Sequence, residues 1–227
     1  MPNSFWRTAL AVAGKDLTIE WRTRTALTSS VVFVVLVLAV FYFSRDRTVV
    51  SALDIAPAAL WVTFTFAAML GLNRAFLLEK ENHALDGILI SPVPRSAIFV
   101  GKLLGNLAFV AVVEAVSLPL FAVFFNVAIV RSLPALLLVL AMATLAFATV
   151  GTLLSSMAVR TRFAELMLPI LLLPFLVPPV VGAVQVTAGV LVGRPLSEFS
   201  GWLKLLASFD VVFVVICLLL FEATLDE

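Results

Sequence analysis

Charged residues are scarce in this 227-residue chain, at 13%, where soluble domains carry roughly 25%. Histidine and cysteine occur once each, as His83 and Cys217. A single cysteine excludes a disulfide within the chain and paired-thiol redox chemistry. With one histidine there is no second imidazole to share a metal, and His83 has no accessible thiol to pair with, so no metal site is expected. No G-x-x-x-x-G-K-[ST], H-E-x-x-H or C-x-x-C pattern occurs, so the chain carries no nucleotide-binding loop and no zinc motif of its own. The lone histidine also leaves no credible Ser/His/Asp arrangement, and no catalytic residue is assigned. A net charge of +1 leaves no basic footprint for nucleic acid.

What the chain has is apolar length. It is 63% hydrophobic with mean hydropathy +1.16, and several uninterrupted runs approach the ~20 residues that cross a bilayer. Backbone groups in hydrocarbon must be paired internally, so the choice lies between helices and a closed barrel. The runs are continuous rather than alternating, which selects helices. The sequence therefore predicts an all-α integral membrane protein with six transmembrane helices in one domain, 1–227. Spans are expected at about 26–43, 57–78, 103–130, 133–159, 166–192 and 205–221. Pro57 suits a helix start. Pro178-Pro179 with Gly182 predicts that the fifth span is broken, or re-entrant, beyond about Val177. Residues 193–204 read as a loop with a short surface helix.

The N-terminus shows no cleavable signal. Residues 1–24 instead predict an interfacial helix. Trp6, Leu10, Ala13, Leu17 and Trp21 form one stripe at helical spacing, with Arg7, Lys15, Asp16, Glu20 and Arg22 mostly off it.

The rest is organised around the polar stretch between the second and third spans. Six of the eight residues from Glu79 to Asp86 are polar: Glu79, Lys80, Glu81, Asn82, His83 and Asp86. Ala84 and Leu85 sit among them, and Leu85, Ile88 and Leu89 share one helical face. Ser91-Pro92-Val93-Pro94 then stops the helix, because each proline removes a donor and restricts the residue before it. A helix over about 79–90 fits two roles: a solvated connector at the headgroups, or a docking element for a soluble partner.

Lysine and arginine counts set orientation. With both termini on one side, that side carries ten of the 15 basic residues and the other five. The termini and the polar stretch are therefore expected in the cytoplasm. Within the spans, Glu114 is the costly residue. A carboxyl at that depth fits a substrate path, or a protonated group that ties two helices. Asp210 and Asn126 are expected near outer interfaces. Gln185 falls where it could satisfy backbone groups freed by the proline break.

Several segments together are similar to the haem exporter protein B (CcmB) family. They are Leu70-Gly71-Leu72-Asn73-Arg74, Glu79-Lys80-Glu81, Ala84-Leu85-Asp86-Gly87, and Leu89-Ile90-Ser91-Pro92-Val93-Pro94-Arg95-Ser96. Lys15-Asp16-Leu17 with Glu20 and Arg22, Gly101-Lys102-Leu103, Gly151-Thr152-Leu153-Leu154-Ser155, Met157-Ala158-Val159-Arg160-Thr161-Arg162, Leu171-Leu172-Leu173-Pro174 and Phe209-Asp210-Val211-Val212-Phe213 extend the resemblance over nearly the whole chain. Asn82-His83 departs from it, where the family carries an acidic residue and glycine.

The resemblance implies an ABC-2 type permease in the bacterial inner membrane, working in cytochrome c biogenesis. It implies a second copy of the chain, a separate ATP-binding subunit, a tryptophan-rich haem-handling membrane subunit and a small single-span subunit. A periplasmic haem chaperone would be an indirect partner. It makes residues 79–90 the coupling helix that meets the ATPase. Haem is then a cargo of the complex rather than a cofactor of this chain. Axial haem ligands are His, Met or Cys, and His83, Met157 and Met167 offer no pair across a pocket. Two functions stay open: outward passage of haem, or transmission of ATP-driven motion that releases a haem-loaded chaperone with nothing crossing here.

Overall fold

The computed structural model describes residues 2–46, 50–81, 93–158 and 164–224. The elements are α1 (Pro2–Thr23), α2 (Thr25–Ser44), α3 (Ala52–Glu81), α4 (Arg95–Phe125), α5 (Leu133–Ala158), α6 (Ala164–Leu191), a 3-10 turn (Leu196–Phe199) and α7 (Ser200–Thr224). Six of these helical segments are long and apolar enough to span a membrane. α1 is not among them. Its Trp6, Leu10, Leu17 and Trp21 are exposed while Ala9 and Ala13 are buried, so the large apolar residues point away from the protein and the small ones face it.

α3 stands at the centre. Its apolar window is 72% buried, against 22% for α2 and 17% for the window from Leu196 to Phe221. Helices in lipid gain nothing from apolar burial alone, so close packing and interhelical hydrogen bonds hold them. Both devices are in use. Ser30 Oγ donates to the carbonyl of Ala67 at 3.1 Å, joining α2 to α3. Asn106 Nδ2 donates to Thr152 Oγ1 at 2.8 Å, joining α4 to α5. Ser155 Oγ donates to the carbonyl of Leu72 at 3.2 Å, joining α5 to α3. Close approach follows from small residues: a Cβ on Gly151 would lie 2.5 Å from Leu72 Cδ1. Ala143, Ala146 and Ala148 are buried beside it on α5.

Several boundaries differ from the sequence reading, each for a local reason. α3 begins at Ala52 rather than Pro57. Ser51 Oγ accepts from the N–H of Leu53, and Asp54 Oδ2 accepts from the N–H of Ser51, a reciprocal cap that outweighs the proline signal. α4 starts at Arg95 and ends at Phe125. Asn126 adopts φ 52°, and the N–H groups of Asn126 and Val127 return to the carbonyls of Val123 and Ala122, which closes the helix in a Schellman turn. Asn126 is thus a helix terminator.

The predicted break in the fifth span is absent. α6 runs through Pro169, Pro174, Pro178 and Pro179 to Leu191. Each proline forfeits one backbone bond, but unwinding in hydrocarbon would strand several more groups. Gly193, at φ 83°, ends α6: the N–H groups of Gly193 and Arg194 meet the carbonyls of Val190 and Gly189. The expected surface helix in 193–204 is a single 3-10 turn that leads straight into α7, which starts at Ser200 rather than Leu205.

Candidate functional site: the α3–α4 connection and the buried polar groups

The polar stretch begins as a continuation of α3, because Glu79, Lys80 and Glu81 form its last helical residues. Asn82, His83, Ala84, Leu85, Asp86, Ile88 and Leu89 lie outside the described residues. The chain is described again at Val93, and Pro94 caps α4. The described residues thus place the end of the central helix before the stretch and the start of α4 after it.

The first turns of α4 are held by α1, which the sequence reading did not foresee. Lys102 is fully buried, and its Nζ lies 2.9 Å from Asp16 Oδ2. Gly101 precedes it, and a Cβ there would stand 2.6 Å from the carbonyl oxygen of Ala9 and 2.7 Å from Val12 Cβ. Gly101-Lys102-Leu103-Leu104-Gly105 is a GxxxG pattern, the signal that marks such helix contacts. One turn further along α1, Glu20 Oε1 accepts from the N–H of Leu27 at 2.8 Å. That caps the first turn of α2 across a joint where Arg24 adopts φ 53°.

Glu114 sits farther from the start of its helix than the sequence placed it. At 1.5 Å per residue it lies about 28 Å from the Arg95 end of α4 and about 16 Å from the Phe125 end. It is buried, and Thr144 Oγ1 of α5 donates to its Oε1 at 2.5 Å. The pair forms the polar floor of a cavity of about 360 Å³ between α4 and α5, otherwise walled by leucines and by Ala111, Ala115 and Ala141.

Asp210 is a correction: it is buried within α7 rather than interfacial, with Oδ1 lacking a hydrogen-bond partner. The early start of α7 moves it inward. Gln185 is exposed on the unbroken α6, so it has no proline break to heal. Cys217 is buried and free, packed in the cluster of Ile98, Phe99 and Phe221. Among the described residues, no three His, Cys, Asp or Glu side chains converge as metal ligands.

Spanning helices around a buried α3, with interior polar groups that tie helix to helix, define an all-helical multi-pass membrane protein. A profile of the CcmB protein family matches residues 7–226. Heme exporter protein B of Pseudomonas aeruginosa is 25% identical over 197 residues, 86% of each chain. That of Bradyrhizobium diazoefficiens is 29% identical over 208 residues, 91% of each chain, and that of Rhodobacter capsulatus 26% over 198 residues, 84% of this chain and 89% of the relative. The chain belongs to the CcmB protein family, and its fold is that of an ABC-2 type permease.

Proposed function

We propose that this chain is the permease subunit of an ABC transporter serving haem export and cytochrome c maturation, driven by ATP hydrolysis in a separate subunit. The single observation that carries the reading is that the 79–94 segment is bounded on one side by the central helix α3, which runs to Glu81, and on the other by α4, which starts at Arg95. A push on that segment displaces the two helices that hold much of the core. In this reading residues 79–90 dock on the ATP-binding subunit from the cytoplasmic side, and both termini share that side. Glu79, Glu81 and Asp86 pair with basic groups of the ATPase, and Leu85, Ile88 and Leu89 fill a groove on it. Two ATPase copies act on a dimer of this chain. A tryptophan-rich haem-handling subunit, a small single-span subunit and, indirectly, a periplasmic haem chaperone complete the machinery.

A second reading is that the chain transmits motion and passes nothing through itself. The interior hydroxyls and amides favour it, since Ser30, Asn106, Thr152 and Ser155 are all engaged in helix-to-helix bonds rather than lining a polar lumen. The whole complex in liposomes separates the two. Haem accumulating across the bilayer with ATP hydrolysis supports a transport path. Chaperone release without haem crossing makes the chain a transmitter.

A further inference from the structure

The structure brings together two segments that the coupling reading leaves unused, Lys15-Asp16-Leu17 and Gly101-Lys102-Leu103. Lys102 is fully buried and 2.9 Å from Asp16. Buried ion pairs are poor stabilisers, because desolvation offsets the attraction, and apolar replacements of similar volume are often neutral or better. Such a pair is better suited to fixing one register between two helices. The surroundings point the same way. Gly101 brings the backbone of α1 against α4 so closely that a methyl group would clash with the Ala9 carbonyl. Gly105, one turn on, lies against Ala13 and Asp16 at ordinary contact distance. At the far side of the pin, Glu20 holds the start of α2. Lys102 stands two turns after Pro94, where the 79–94 segment enters α4.

We infer that Asp16 and Lys102 are positioning residues, forming a charged pin that makes α1 and the first turns of α4 one rigid lever in ATP-driven coupling. The inference rests on the coupling role proposed for residues 79–90. Motion entering α4 carries α1 across the membrane surface, and α1 passes it to α2 through Glu20. The exposed stripe of Trp6, Leu10, Leu17 and Trp21 is the surface on which the lever slides.

The test uses the whole complex in nanodiscs. The double variant Asp16→Leu/Lys102→Met removes both charges, and a charge-exchanged variant, Asp16→Lys/Lys102→Asp, restores a pair in reverse. Three readouts are taken: complex yield and Tm, stimulation of ATPase by the permease, and a spin-label distance between Gly14→Cys and Ala111→Cys. Gly14 is exposed with nothing within 4 Å of an added Cβ, and Ala111 lines the α4–α5 cavity, so both accept labels. Expected are near-native yield and Tm in the apolar double variant, ATPase stimulation reduced about fivefold or more, and partial rescue by charge exchange. The label distance stays constant through the nucleotide cycle in the native pair and varies without the pin. Full stimulation in a well-folded Asp16→Leu/Lys102→Met complex, while Leu85→Asp uncouples, overturns the pin and leaves the coupling segment standing. Full stimulation in both variants overturns the coupling reading and the pin with it.

Discussion

The indole Nε1–H of Trp61 in α3 donates to the hydroxyl of Thr187 in α6 at 2.9 Å, with both side chains fully buried. Trp61 also meets Phe64 and Phe147 edge-on, so the bond fixes the ring on which α3, α5 and α6 converge. Thr187→Val strands a buried donor while keeping the shape of the site. Unpaired buried donors cost about 1–3 kcal/mol, and interhelical bonds in lipid average about 0.6, so a loss of about 1 kcal/mol is expected. Trp61→Phe removes the donor itself, and the double variant should lose less than the two single losses added. Thermal unfolding of all three proteins in nanodiscs checks this; strictly additive losses would mean that the bond contributes nothing.

Two glycines one turn apart should respond in opposite ways. At Gly101 the added methyl meets the backbone oxygen of Ala9 at 2.6 Å, which cannot swing aside. At Gly105 the nearest atom is 3.6 Å away. Gly101→Ala is expected to lift α1 from α4, seen as faster hydrogen exchange along Pro2–Thr23. Gly105→Ala should stay within about 0.5 kcal/mol of the native protein. Equal protection of α1 in both variants would contradict the close packing.

The spans were legible because their signal is length and apolarity, which tertiary context cannot erase. Boundaries were less so. Pro57 is a local start signal and Pro178-Pro179 a local stop signal, but a cap at Ser51 and Asp54 starts α3 earlier, and a bilayer makes unwinding costlier than a missing bond, so α3 and α6 pass through their prolines. Asn126 and Gly193 end their helices by adopting positive φ, and a lone Asn gives little warning of that. Glu114 could be singled out from sequence, but its partner Thr144 could not, since nothing local relates two residues on different helices. The contact of Lys102 with Asp16 was half legible: Gly101 and Gly105 spelled the helix-contact pattern, but no short-range rule says which helix answers it.

Glu114 and Thr144 give a direct test of what a carboxyl does at this depth. If Glu114 is a helix tie, an amide of the same shape serves as well, because Thr144 can still donate to its oxygen. Glu114→Gln is then expected to keep both the Tm and the cytochrome c maturation activity of the complex. Glu114→Ala widens a cavity that already measures about 360 Å³ and removes the bond, so a lower Tm is expected, from a stability loss typical of a core truncation, about 2 kcal/mol or more. A Gln variant that folds normally but is inactive would show that a proton or a charge at Glu114 takes part in function.

Leu85→Asp addresses the proposed docking segment itself. Leu85, Ile88 and Leu89 fall at helical spacing between Glu81 and the prolines Pro92 and Pro94, so in the proposed coupling helix they would share one face. A carboxylate on that face would be buried unpaired against the ATPase, at a cost of several kcal/mol. It would cost little in a segment surrounded by water. The variant should therefore insert normally and keep the α1–α7 body intact, since its spans are untouched. Its affinity for the ATP-binding subunit should fall about a hundredfold or more, because 1.4 kcal/mol is a factor of ten. The exposed pairing positions should behave differently. Glu81→Gln is expected to change affinity less than tenfold, and mainly at low salt, because rim charges are screened. Co-purification and ATPase stimulation across a salt series measure both. If Leu85→Asp binds and stimulates normally at every salt concentration, residues 79–90 are a solvated connector, and the coupling contact must lie elsewhere on the same face.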